Sequence, residues 1–278
     1  MGGVQEQRLV GGNDEGAVAV GATVRRHTGA WTPAVHALLR HLEAKRLDGV
    51  PRVLGIDEQG REVLTFLPGD TIGTQRPWPA WAHADETLVQ VGGWLRRYHE
   101  AVADFVPPEG ACWRTSLRPW RPGEVIGHND AGPYNAVWQP TPQTQSSEAG
   151  PQAPVGVFAG FVDWDFAGPC SRAWDLAFVA FSWVPLHARA VVTAEGFTDF
   201  ADRPRRLRLF LDAYGWTGGV AEVLDAVQER VSDHARTLRA LAACGDPLFA
   251  RLVDAGVIDR LEQALTELHD DRATFTRP

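Results

Sequence analysis

Lysine is almost missing from this chain of 278 residues: Lys45 is the only one among 27 basic side chains, so the other 26 are arginine. Any role that needs a side-chain amine must therefore fall to Lys45 or pass to a guanidinium. Excess positive charge is missing too. Against 35 acidic side chains the net charge is −8, which argues against a nucleic-acid binder, since such proteins concentrate basic charge on one face. No apolar run approaches the roughly 18 residues of a membrane-spanning helix. The three cysteines, Cys112, Cys170 and Cys244, are odd in number and scattered, and fit reduced thiols better than a disulfide framework or a zinc site. The first residues, Met1-Gly2-Gly3-Val4-Gln5, lack the basic flank and apolar stretch of a signal peptide. The expectation is a cytoplasmic protein without nucleic-acid or membrane partners.

With 44% hydrophobic residues, a chain of this length can bury a full core as one large or two smaller domains. Up to about residue 67, short apolar runs alternate with turn residues. A turn cluster at Gly11-Gly12-Asn13-Asp14-Glu15-Gly16 precedes strands predicted at Ala17–Val20 and Thr23–Arg26. Thr32 followed by Pro33 reads as an N-cap and first turn, opening a helix with Leu38, Leu39 and Leu42 on one face. Two more strands are predicted at Pro51–Gly55 and Glu62–Leu67, separated by the turn Asp57-Glu58-Gln59-Gly60. Beyond Pro68 the texture changes. A helix carries Leu88, Val91, Leu95 and Tyr98, and a proline-rich passage follows. Two β-like segments come next, Asn135–Trp138 and Val155–Val162. The polar stretch over 139–154 between them has little to bury and reads as a mobile loop. From about Ser171 the pattern is mainly helical. This gives a fold class of α+β, with a sheet-rich lobe over 1–67, a hinge near Phe66–Gly69 and a larger helical lobe over 68–278.

The chemistry lies in Gly127-His128-Asn129-Asp130-Ala131-Gly132-Pro133-Tyr134-Asn135 and, downstream, Phe161-Val162-Asp163-Trp164-Asp165-Phe166. Here an aspartate is followed five residues later by an asparagine on an irregular loop, and a second aspartate closes a strand. Carboxylate and amide oxygens are hard ligands suited to magnesium, and a further carboxylate beside them can accept a proton from a hydroxyl nucleophile. Phosphoryl transfer uses these parts.

His-x-Asp followed by four residues and Asn, then Val-Asp-Trp-Asp, then Ala173-Trp174-Asp175-Leu176-Ala177 resembles the aminoglycoside phosphotransferases and their small-molecule kinase relatives. The resemblance implies a two-lobed protein-kinase-like fold and transfer of the γ-phosphoryl group of ATP or GTP to a small-molecule hydroxyl. It makes Asp130 the catalytic base or hydroxyl-orienting residue, and Asn135 and Asp163 the Mg2+ ligands. His128 becomes a structural residue of the catalytic loop, and Asp175 a buried brace for it. Asp165, on a strand, would share a face with Asp163 and serve as a second metal ligand or as a helix cap.

The pattern is incomplete in the first lobe. Kinases of this fold place a lysine on the third strand, paired with a helix glutamate, whereas this strand ends Thr23-Val24-Arg25-Arg26. Alternation puts Val24 and Arg26 on one face. With Val24 against the adenine, Arg26 is the phosphate contact, and Arg25 is the alternative. The helix has His36 near the expected glutamate. Gly11–Gly16 lacks the Gly-x-Gly-x-x-Gly spacing, and a Walker-type loop is absent. Adenine would meet backbone groups around Thr65 to Leu67. The acceptor is open: an aminoglycoside, choline, an amino-alcohol, a sugar or a macrolide. A non-catalytic relative that acts by binding, as in immunity, is the rival class. Trp113, Trp120, Trp174, Trp183 and Trp216 are candidates for an acceptor wall or for core. Glu222, Asp225, Glu229 and Asp233 form either an acidic patch or a solvated helix face.

Overall fold

A computed structural model describes residues 6–9, 17–73, 75–114, 119–139, 156–245 and 247–277. The Gly11–Gly16 cluster and residues 140–154 of the predicted mobile loop lie outside them. The chain divides into two compact units, residues 1–75 with 93–172, and residues 76–92 with 173–278.

The first unit opens on five strands: β1 (Gln7–Arg8), β2 (Val18–Val20), β3 (Thr23–Arg26), β4 (Val53–Ile56) and β5 (Glu62–Thr65). They form an antiparallel sheet in the order β1-β2-β3-β5-β4. In its register Arg26 stands directly opposite Glu62, and Val24 opposite Leu64. Between β3 and β4 runs helix α1 (Thr32–Ala44), whose Leu38, Leu39 and Leu42 are fully buried. The N-cap of this helix is Trp31, one residue earlier than predicted. Thr32 does not cap, because its hydroxyl accepts the Gly29 N–H at 2.9 Å.

Helix α2 (Asp85–Ala101) contributes residues to both units; Leu88, Val91, Leu95 and Tyr98 are all buried. Two short antiparallel pairs then carry the motif loops. Strand β6 (Val125–Gly127) pairs with β9 (Gly168–Cys170), and β7 (Ala136–Gln139) with β8 (Val157–Phe161). A close backbone crossing anchors β8. Phe161 N–H donates to the Gly49 carbonyl at 3.1 Å, and Gly49 and Gly160 both adopt positive φ, 84° and 141°. A Cβ on Gly160 would run into Gly49 backbone, and one on Gly49 would lie 2.6 Å from Ala159 O.

The second unit is helical: α3 (Arg172–Trp183, from Ala173 on), α4 (Arg189–Ala194), α5 (Arg203–Tyr214), α6 (Val220–Ala243), α7 (Pro247–Asp254) and α8 (Val257–Phe275). Its core joins Val223, Leu224, Val227, Val231 and Leu238 of α6 to Ile258, Leu261 and Leu268 of α8. These positions recur at the three- and four-residue spacing of an apolar helix face. Of the acidic residues of α6, Asp225 pairs with Arg272 of α8 at 2.6 Å and Asp233 with Arg236 at 3.0 Å. Trp113 and Trp183 are core residues, whereas Trp120, Trp174 and Trp216 are partly exposed. Among the described residues no helix is long and apolar enough to cross a membrane, and none of the three cysteines forms a disulfide.

Candidate active site

The motif loop runs from β6 through a 3-10 turn at Pro133–Asn135 into β7. Its conformation is fixed by His128, which is fully buried and lies 4.5 Å, ring to ring, from Trp164. The Val162 carbonyl stands 3.1 Å from Nε2 and accepts its proton, so Nδ1 is left to accept the Asp130 N–H at 3.3 Å. These partners select the Nε2–H tautomer. Asn129, at φ 62°, places its backbone in the left-handed region, which asparagine tolerates.

Asp130 therefore projects with its carboxylate held at both oxygens. Tyr134 OH donates to Oδ1 at 2.6 Å, and Asn135 Nδ2 donates to Oδ2 at 2.8 Å and to the Asp130 carbonyl at 2.9 Å. Both contacts of Asn135 go through Nδ2, so the atom it has left for a cation is Oδ1. The Asn135 carbonyl accepts the Val162 N–H at 3.0 Å. Val162 is thus tied to the motif loop by two hydrogen bonds, and Asp163 is the next residue.

Asp163 has φ 63° and ψ 67°, a left-handed conformation sustained only by its surroundings and typical of functional positions. The strand before it ends at Phe161, and Asp165 lies in a 3-10 turn, Trp164–Phe166. The predicted strand placement of Asp165 is thus corrected: the chain turns after Val162, and strand alternation does not relate the two aspartates. They converge all the same, on Arg26. Its Nη2 lies 3.0 Å from Asp163 Oδ1 and 2.8 Å from Asp165 Oδ2. Burial holds the Asp165 carboxyl above the usual range, with Asp163 and Glu62 adding to the effect and Arg26 and Arg114 opposing it.

Of the two arginines ending β3, Arg26 turns inward and Arg25 pairs with Asp57 at 3.6 Å. Behind Arg26 is a residue that the sequence reading passed over. Glu62, 3% exposed, lies 3.7 Å from Arg26 Nε through Oε1 and 2.9 Å from His36 Nε2 through Oε2. The acid expected on the helix is thus supplied by the neighbouring strand, with the helix histidine as its second partner. Antiparallel pairing of the two predicted strands was the available signal. Arg114 was missed as well: its Nη1 is 3.1 Å from Asp165 Oδ2, and nothing local in the sequence marks it.

Val24 is half-buried on β3. The N–H groups of Thr65 and Phe66 are engaged by Arg52 and Ala22, each at 2.9 Å, so Leu67 is the first linker residue beyond the bonding of the sheet. Asp175 is fully buried in the first turn of α3, within the second unit. Among the described residues no three His, Cys, Asp or Glu side chains cluster as a metal site. Asn135 Oδ1 and the Asp163 carboxylate are hard-oxygen donors of the kind that magnesium takes.

Solved structures of small-molecule kinases share the fold. A choline/ethanolamine kinase family protein from Mesorhizobium loti matches with TM-score 0.59 and 15% identity, covering 98% of this chain and 92% of that one. Amicoumacin kinase hAmiN, in complex with AMP-PNP, Ca2+ and Ami, gives 0.56 and 12% over 95% and 88%. The GDP complex of aminoglycoside 2'-phosphotransferase-IIIa gives 0.50 and 12% over 95% and 94%. The fold is the α+β, protein-kinase-like fold of small-molecule kinases, as the motifs implied. No family model matches the chain. The trifolitoxin immunity protein of Rhizobium leguminosarum bv. trifolii is 35% identical over 211 residues, 74% of this chain and 73% of that protein. The chain belongs to the same family as that immunity protein.

Proposed function

We propose that the protein is a cytoplasmic, magnesium-dependent phosphotransferase that moves the γ-phosphoryl group of ATP or GTP to a hydroxyl of a small molecule. One observation carries this reading: Asp130, braced by Tyr134 and Asn135, stands on a loop tied to the residue before Asp163, and Asp163 meets Arg26. Asp130 orients the acceptor hydroxyl and takes its proton as the oxygen bonds to the γ-phosphorus. The bond to the β–γ bridging oxygen breaks, and the nucleoside diphosphate leaves with that electron pair. Asn135 and Asp163 hold the magnesium, which when bound neutralises phosphate charge. Arg26 grips phosphate oxygens through its planar fork, while Val24, Thr65 and Leu67 border the base. His128 and Asp165 keep the loops in place. In this division of labour residues 1–67 serve the nucleotide and 68–278 the catalytic loop and the acceptor.

The test is ADP release by the purified protein against aminoglycosides and amino-alcohols, alongside Asp130→Ala. Loss of a positioned base lowers kcat by about 10²–10⁴-fold while the circular dichroism spectrum is retained. Undiminished turnover in that variant overturns the assignment. A second reading, binding without catalysis, is favoured by the immunity function of the 35% identical relative and by the arginine in the lysine position. Under it, magnesium and ATP neither raise the melting temperature nor yield ADP.

A further inference from the structure

Arg114 is held more firmly than a partly exposed surface arginine needs to be. Its guanidinium carbon lies 4.6 Å from the Trp31 ring centroid and 5.0 Å from that of Phe166. Contact with two rings fixes the orientation of the group while its charge remains. Its Nη1 meets Asp165 Oδ2, the oxygen that Arg26 also approaches. The two side chains differ in access, Arg114 being 39% exposed and Arg26 9%. Arg26 is shared among Asp163, Asp165 and Glu62, and Arg114 is the second cation at Asp165.

Two guanidiniums converging on one oxygen, one deep and one at the surface, match neighbouring oxygens of a phosphate chain, the group that the arginine fork binds bidentately. With lysine confined to Lys45, arginine is the permanently charged side chain left to meet such a chain. We infer that Arg114 is a second polyphosphate ligand that forms a two-arginine clamp with Arg26, and that Asp165 keeps the two guanidiniums together between ligands. The inference rests on the reading of this site as a nucleotide-phosphate site and adds to it a residue from outside the five-stranded sheet.

Titration calorimetry of the full chain with magnesium-free tripolyphosphate and with Mg·ADP, for wild type, Arg114→Ala, Arg114→Lys and Arg26→Ala, tests the clamp. Loss of a charge-assisted contact raises the tripolyphosphate Kd about tenfold or more in Arg114→Ala. Arg114→Lys retains charge without the fork and falls between that variant and wild type. Because Arg114 is partly exposed, both variants keep the wild-type melting temperature to within a few degrees. A tripolyphosphate Kd unchanged in Arg114→Ala but raised in Arg26→Ala overturns the clamp and leaves the phosphotransferase reading standing. Absence of tripolyphosphate binding by wild type overturns the clamp outright. Binding that depends on Arg114, in a protein that phosphorylates no acceptor, upholds the clamp and removes the phosphotransferase reading.

Discussion

Glu62 brings a carboxylate into the interior because two partners wait for it, Arg26 across the strand pair and His36 from the helix. Removing one member of a buried pair leaves the other desolvated and uncompensated, which is strongly destabilising. Glu62→Leu and His36→Leu each cost about 2–4 kcal/mol in denaturant unfolding, and the double variant costs less than their sum by about 1–3 kcal/mol. Strict additivity would show that the pair is not coupled. The same residues mark the limit of what sequence reading reached. Asp130, Asn135 and Asp163 stand out through the motifs that resemble the small-molecule kinases, and Arg26 through its alternation with Val24 on a short strand. Glu62 and Arg114 depend on which distant segments meet, a property that no single window of sequence carries.

Among the elements, β8 has the most demanding position, since it delivers Val162 and Asp163 to the motif loop and is pinned where Gly160 crosses Gly49. Gly160→Ala adds a Cβ against backbone at φ 141°. It costs at least about 2 kcal/mol of stability, and in the proposed enzyme activity falls further than the loss of folded protein accounts for. A variant that melts with wild type contradicts the crossing. Strands β2–β5 and β7–β8 and helices α1 and α2 were legible because each has a periodic apolar pattern bounded by turn residues. Strands β1, β6 and β9, of two or three residues, show no alternation and are defined only by their partners. The sequence leaves Asp165 open between strand and cap, since Val-Asp-Trp-Asp alternates as a strand does while the left-handed backbone at Asp163 leaves no trace in composition.

For the molecule as a whole, the pH dependence of unfolding is set in part within the second unit. Burial pushes the Glu195 carboxyl up to about 7, against the pull of Arg76, and pushes the His187 imidazole down to about 4, with Arg260 adding to the effect. The two act in opposite directions. The Glu195 contribution is complete below pH 4.5, the unperturbed value, and is lost as pH rises to about 7, whereas that of His187 is complete above 6.5 and is lost as pH falls towards about 4. Glu195→Gln removes the first alone. Relative to this variant, wild type loses roughly 2–3 kcal/mol between pH 4.5 and 7, and the loss levels off once pH has passed through the folded value. Parallel stability curves for the two proteins would show that Glu195 does not titrate in this way. The arginine-for-lysine exchange also has a practical consequence for the entire chain. Its one side-chain amine, Lys45, is paired with Asp104 at the surface, so reagents that acylate an amine beside bound nucleotide have no target at Arg26. In the proposed enzyme, surveys of nucleotide-using proteins that depend on such labelling pass over Arg26.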